Sequence, residues 1–224
     1  VAVDAIIFDF DGTIIDTESA DYQAWQEVFS AHGLHLGVAL WKQRVGKVYT
    51  ENGAEAGVFE PHIYFEQVAG RPLTAAERAA QYERYMQLCA ELPILPGVID
   101  ILEKARAAGI RLGIGSNSDY AWVEKWARHY RVWDYFEAVV TREQVAKPKP
   151  APDIYLEAAR RLGVPVERCI AIEDSPVGME AVLAAGMRCI GVPNWLTVHL
   201  ERPAVTLSVN ALTEIGYEGI MARF

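Results

Sequence analysis

Two carboxylates separated by a single residue, Asp9 and Asp11, close the apolar run Ala5-Ile6-Ile7-Phe8. Strand side chains repeat every two residues, so acids at i and i+2 can face one side where a strand ends. Like charges that close are costly to ionise together unless a cation neutralises them or one carboxyl keeps its proton. Either outcome is useful chemistry. Further polar residues fall at similar boundaries: Ser116-Asn117 after an apolar run, Lys147 or Lys149 within KPKPAPD, and Glu173-Asp174 before Ser175-Pro176. Together they supply a nucleophilic carboxylate, a second carboxyl, a hydroxyl, a cation and another acid pair. That set can hold a divalent metal and a tetrahedral oxyanion.

The elements that must position these residues follow from the pattern. Ala5 to Phe8, apolar at every position, predicts a strand buried on both faces of a parallel sheet, and Gly12-Thr13 predicts the turn after it. A helix follows, with Ala24, Trp25, Val28, Phe29 and His32 on one face and its end at Gly33. Up to about Leu92 the chain is rich in aromatics and lacks a convincing strand; Thr74 with Glu77 predicts a capping box. Residues 17–92 therefore read as an all-helical insertion. From Pro96 strands and helices alternate: strands near 110–115, 138–140, 169–172, 189–192 and 205–209, and between them helices that include Trp122 to His129 and the Ile154, Leu156, Ala158, Ala159, Leu162 set. Ser175 predicts an N-cap and Pro176 a first helical position. The fold class is α/β: a doubly wound, Rossmann-like parallel sheet built from residues 1–16 and 93–224, with the inserted helical domain between. In such a sheet the carboxyl ends of neighbouring strands converge on one crevice.

Composition excludes several function classes. With 51% hydrophobic and 23% charged residues the chain is globular rather than disordered. Thirty acids against 21 bases give a net charge of −9, which argues against general binding to nucleic acid or anionic membrane. The start of the sequence has no basic n-region and no later run reaches the length of a membrane span, so the expected location is cytoplasmic. Three cysteines, Cys89, Cys169 and Cys189, form neither a disulfide framework nor a CxxC pair, and the five histidines show no metal-ligand spacing.

These residues resemble the haloacid dehalogenase superfamily, within it the β-phosphoglucomutase and phosphoglycolate phosphatase-like group with a helical cap. The signature DxDGT(x)nD is matched by Asp9-Phe10-Asp11-Gly12-Thr13 with Asp16, and the second-strand hydroxyl by Ser116. KPxPD is matched by Lys149 to Asp153 and EDSxxG by Glu173 to Gly178. Of the two lysine frames, the one starting at Lys149 continues into Asp153 as the family does. The resemblance implies phosphoryl transfer through an aspartyl phosphate on Asp9, with Asp11 as proton donor and acceptor. It implies Mg²⁺ held by Asp9, the Asp11 backbone carbonyl and Asp174, with Glu173 direct or through water, and phosphoryl oxygens held by Ser116 and Lys149. Asn117 and the cap residues Arg44 and Lys47 join the substrate-binding set, and Tyr49 stands beside them.

The substrate so implied is a small phosphorylated metabolite such as a sugar phosphate, hydrolysed by a monomer or small homo-oligomer. The alternative is a hexose-phosphate mutase like β-phosphoglucomutase. Alignment puts Asp21 and Tyr49 where that mutase has a cap histidine and a cap arginine, which disfavours it. Asp11 disfavours dehalogenation, since the dehalogenases lack this second aspartate. A receiver-type phosphoacceptor domain carries its phosphorylated aspartate on the third strand and has no use for an insertion of this size.

Overall fold

The computed structural model describes residues 2–44, 49, 50, 53, 54 and 59–224. In chain order its elements are β1 (Ala5–Phe8), α1 (Thr17–Ala31), α2 (Val38–Trp41), β2 (Tyr49–Thr50), β3 (Gly53–Ala54), α3 (Pro61–Ala69), α4 (Ala75–Glu91), α5 (Val98–Ala107), β4 (Arg111–Ser116), α6 (Tyr120–His129), β5 (Ala138–Thr141), α7 (Asp153–Leu162), β6 (Cys169–Glu173), α8 (Pro176–Ala184), β7 (Arg188–Gly191), β8 (Leu207–Ser208) and α9 (Gly216–Arg223). Two compact units result, one running up to Ile15 and again from Ile94, the other Asp16–Pro93.

The first unit is a parallel sheet in the order β5-β4-β1-β6-β7-β8. β1 is central because nothing on it needs water: all four residues are fully buried. Burial of Ile6, Ile7 and Phe8 contributes roughly 1.5–3 kcal/mol each. Phe8 pairs with Ile114 on one side and Ile172 on the other, so β4 and β6 run on past the end of β1, to Ser116 and Glu173, on either side of the chain that carries Asp9. Glycines on β4 let α7 lie close: a Cβ on Gly115 would come within 3.0 Å of Ile154 Cγ2, and one on Gly113 within 3.1 Å of Leu162 Cδ1. One face of the sheet packs Ala5 and Ile7 against Ile154, Tyr155, Ala158 and Leu162 of α7 and Met179 and Val182 of α8. α5 also packs on β4, and α9 covers α5.

The doubly wound α/β class expected from the sequence is the class observed. Some details differ. On α7 it is Tyr155 that is buried, while Leu156 is 41% exposed; buried positions 154, 155, 158, 159 and 162 follow a helical face that 156 leaves. β8 is shorter than the run of 205–209 suggested, and α9 has no counterpart in the sequence reading.

Among the described residues the second unit is helical apart from the two-residue antiparallel ladder of β2 and β3, a correction to the all-helical expectation. A pairing of two residues per strand carries no periodic signal to read. Thr74 and Glu77 form the capping box of α4, each side chain reaching the other's backbone N–H. α1 packs on α4, and Phe29 stacks on Tyr64 at 5.7 Å and meets Phe65 edge-on at 5.5 Å.

Candidate active site

The chain leaves β1 with one more parallel contact, Asp9 N–H to Ile172 O at 2.9 Å, and then turns tightly: Ile14 N–H reaches Phe10 O and Gly12 N–H reaches Ile15 O. Gly12 has φ +90°, and a Cβ there would stand 2.5 Å from Asp174 Oδ2. Only glycine fits both the backbone conformation and the approach of that carboxylate. The motif's glycine thus brings the end of β1 against the end of β6.

Lys149 is buried, and its ammonium donates to Asp9 Oδ1 and Glu173 Oε1, both at 2.6 Å. Burial alone would favour the neutral amine. The Asp9 and Glu173 charges, with their hydrogen bonds, outweigh it and hold the ammonium above the ordinary lysine range. For Asp9, burial and then the Glu173 charge push the carboxyl up to about 7 against the opposing pull of Lys149. The Asn117 side chain grips the lysine's backbone from both sides, accepting from Lys149 N–H at 2.9 Å and donating to Lys149 O at 3.2 Å. Lys147 is exposed and meets Asp153 only through its backbone N–H among the contacts observed.

Glu173 is fully buried at the end of β6. Its Oε1 also accepts from the Tyr155 hydroxyl at 2.5 Å, and its Oε2 lies 3.3 Å from Ser175 Oγ. Burial and the Glu173 charge raise the Tyr155 hydroxyl well above its usual value, so it stays a donor. Gly178 of α8 is the floor beneath this carboxylate: a Cβ there would lie 1.9 Å from Glu173 Oε1. Ser175 caps α8 by accepting from Gly178 N–H. Asp174 is buried and accepts from Asn194 Nδ2 at 2.9 Å. Oxygens of Asp9, Glu173 and Asp174 all fall within 4.8 Å of one another, an acidic cluster of hard ligands.

Asp11 is half-buried. Its Oδ2 accepts from Ser118 Oγ at 2.5 Å and its Oδ1 from Trp122 Nε1 at 2.8 Å. Ser116 is buried and accepts from Ser118 N–H at 3.0 Å. The structure therefore gathers Asp9, Lys149, Glu173 and Asp174 into one group, with Asp11 and Ser116 joined to each other through Ser118. In the second unit Arg44 pairs with Asp21 at 3.3 Å and lies over the Trp41 ring. Lys47 lies outside the described residues, and of Tyr49 only the backbone is described. Sequence reasoning missed Tyr155, Ser118, Trp122 and Asn194. Ser118 adjoins the Ser116-Asn117 pair and was within reach; an indole or phenol inside an amphipathic helix carries no such signal.

A parallel α/β sheet whose central strand ends in an acid pair, beside a buried lysine and a second acid pair, defines a phosphoryl-transfer or hydrolase type of site. The chain belongs to the haloacid dehalogenase-like hydrolases, whose family model matches residues 3–186. It is 39% identical over 87% of its length to YhcW of Bacillus subtilis (strain 168), described as a phosphatase, and covers 86% of that protein. It is 32% identical to the β-phosphoglucomutase of the same organism, over 84% of this chain and 82% of the other. The crystal structure of CbbY from Rhodobacter sphaeroides in complex with phosphate superimposes with a TM-score of 0.73 at 30% identity, covering 97% of this chain and 98% of that one. The chain is thus an enzyme, and the phosphatase expected from the sequence agrees with these relatives. No helix among the described residues is long and apolar enough to cross a membrane.

Proposed function

We propose that this enzyme is a Mg²⁺-dependent phosphatase of a small phosphomonoester, a sugar phosphate or similar metabolite, acting through a phosphorylated Asp9. The observation that carries this is the buried Lys149 ammonium bridging Asp9 and Glu173 at 2.6 Å. A carboxylate can attack a phosphate dianion only where fixed positive charge offsets their repulsion.

The donor set fits magnesium. Asp9 and Asp174 offer hard carboxylate oxygens, the Asp11 backbone carbonyl joins them by family resemblance, and Glu173, whose oxygens face Lys149, Tyr155 and Ser175, acts as a neighbouring charge. The ion supplies charge neutralisation at the phosphoryl oxygens. Asp9 forms the bond to phosphorus as the ester P–O bond breaks, and Asp11 gives its proton to the leaving oxygen. Water then adds to phosphorus with loss of the Asp9–phosphorus bond, and one water proton returns to Asp11. Ser116 and Lys149 hold the phosphoryl oxygens, and Asn117 fixes the lysine's backbone.

Residues 17–92 act as a cap that closes over the substrate and sets specificity, with Arg44 and Lys47 among its contacts. Asp21, held by Arg44 and by Gln81 Nε2 at 3.4 Å, is engaged inside its own unit. That favours water over a second sugar phosphate as the acceptor, and hence hydrolysis over the mutase reaction. A cytoplasmic, monomeric or small homo-oligomeric metabolic enzyme is the setting this reading implies.

The test is phosphate release from a panel of sugar phosphates with and without Mg²⁺. Metal-dependent release that vanishes in Asp9→Asn supports the reading. Isomerisation without released phosphate, once a bisphosphorylated sugar is added, replaces it with the mutase.

A further inference from the structure

Asp11 and Asp9 are two residues apart, but their carboxyl groups are held by different parts of the molecule. Asp9 answers to Lys149, whereas Asp11 is gripped by a hydroxyl on one oxygen and an indole on the other: Ser118 Oγ to Oδ2 at 2.5 Å and Trp122 Nε1 to Oδ1 at 2.8 Å. These donors are not equivalent. An indole N–H has nothing to accept with, so the oxygen facing Trp122 must present a lone pair. A hydroxyl both donates and accepts, so the oxygen facing Ser118 can stand there with or without a proton.

The clamp is braced from behind. Trp122 is in the first turn of α6, whose start is tied to β5's following loop: Tyr120 N–H donates to Glu143 Oε2 at 2.8 Å, and Arg142 pairs with Asp119. The Trp122 ring meets the buried Trp126 edge-on, centroids 5.6 Å apart. Ser118 is fixed in turn by its N–H to Ser116 Oγ.

We propose that Trp122, with Ser118, is a positioning residue for Asp11: the indole commits Oδ1 as an acceptor and fixes the carboxyl plane, so that proton transfer runs through Oδ2. This rests on the phosphatase reading above. In the first half-reaction the Oδ2 proton passes to the ester oxygen as the ester P–O bond breaks and the Asp9–phosphorus bond forms. In the second, a water proton passes to Oδ2 as the water oxygen binds phosphorus and the Asp9–phosphorus bond breaks.

The role is read from the leaving group. A para-nitrophenolate leaves with little help, whereas phenolate needs the proton, and kcat/KM reports the step in which it leaves. Trp122→Phe keeps a ring and removes the N–H; positioned acid catalysis is worth about 10²–10⁴-fold. The expected result is a fall in kcat/KM for phenyl phosphate at least about tenfold larger than for para-nitrophenyl phosphate, with inhibition by inorganic phosphate unchanged. Ser118→Ala, which leaves the aromatic packing intact, should show the same selective loss and serves if Trp122→Phe does not fold. Equal losses on both esters, or none, in an active enzyme overturn the clamp alone. A wild type that releases phosphate neither from these esters nor from any sugar phosphate of the panel overturns the clamp and the phosphatase reading together.

Discussion

Gly178 and Glu173 stand so close that no side chain fits between them: a Cβ on Gly178 would lie 1.9 Å from one carboxylate oxygen and 2.1 Å from the other. Glu173 cannot retreat without losing Lys149 and Tyr155, each of which donates to its Oε1. Gly178→Ala is therefore expected to expel this carboxylate from its seat. Overpacking of this kind costs about 1–3 kcal/mol. Urea denaturation should show that loss, and Mg²⁺-dependent phosphatase activity should fall with it. A variant as stable and as active as the parent contradicts the seat.

Lys149 is the next point of leverage. It is the cation that both Asp9 and Glu173 share, in a buried setting. Removing one partner of a buried ion pair leaves uncompensated charge and costs about 3–5 kcal/mol. Lys149→Met should lose stability on that scale in EDTA, as measured by denaturant midpoint, and should lose turnover. Added Mg²⁺ should restore part of the stability, because a cation returns to the acids, but not the activity.

Much of this site was legible because its chemistry lies at strand ends. Asp9, Ser116 and Glu173-Asp174 follow runs whose apolar character already marks buried strands, and Ser175-Pro176 announces the helix after them. What the motif glycines do was not legible: Gly12 makes room for Asp174 and Gly178 for Glu173, contacts between segments about 160 residues apart or across a turn. The sequence pattern puts Leu156 rather than Tyr155 on the core face of α7, and where the tyrosine hydroxyl goes depends on how that helix lies on β4. Trp122 reaches Asp11 only because α6 begins at a particular angle after Ser118. The ladder of β2 and β3 and the helix α9 are too short to leave a periodic trace.

The overlapping lysine frames of KPKPAPD separate cleanly by experiment. Lys147 is exposed, whereas Lys149 is buried against Asp9. Exposed substitutions usually change stability by less than about 0.5 kcal/mol, and a change of that size in an activation barrier is about twofold in rate. Lys147→Ala should leave kcat/KM for para-nitrophenyl phosphate within that margin. A loss comparable to that of Lys149→Met would move the phosphoryl contact to Lys147.

Asp9 links catalysis to stability with opposite signs. Burial, then the charge of Glu173, raises its carboxyl to about 7 from an ordinary 3.8 in the metal-free protein. The folded state then holds this proton more tightly than the unfolded chain does, so between about pH 4 and pH 7 the group's contribution to stability falls as pH rises, by up to about 1.4 kcal/mol per unit. Below that window both states are protonated and above it both are ionised, so the slope is confined to it. Asparagine mimics the neutral acid at every pH. In EDTA, Asp9→Asn should match the wild type in Tm near pH 4 and exceed it by several degrees at pH 8. Mg²⁺ should raise the wild-type Tm more at pH 8 than at pH 5, since only the ionised carboxylate attracts it, and should raise that of Asp9→Asn less. The same variant should release no phosphate. A wild type more stable than Asp9→Asn at pH 8 without metal would mean that Lys149 fully compensates the buried charge.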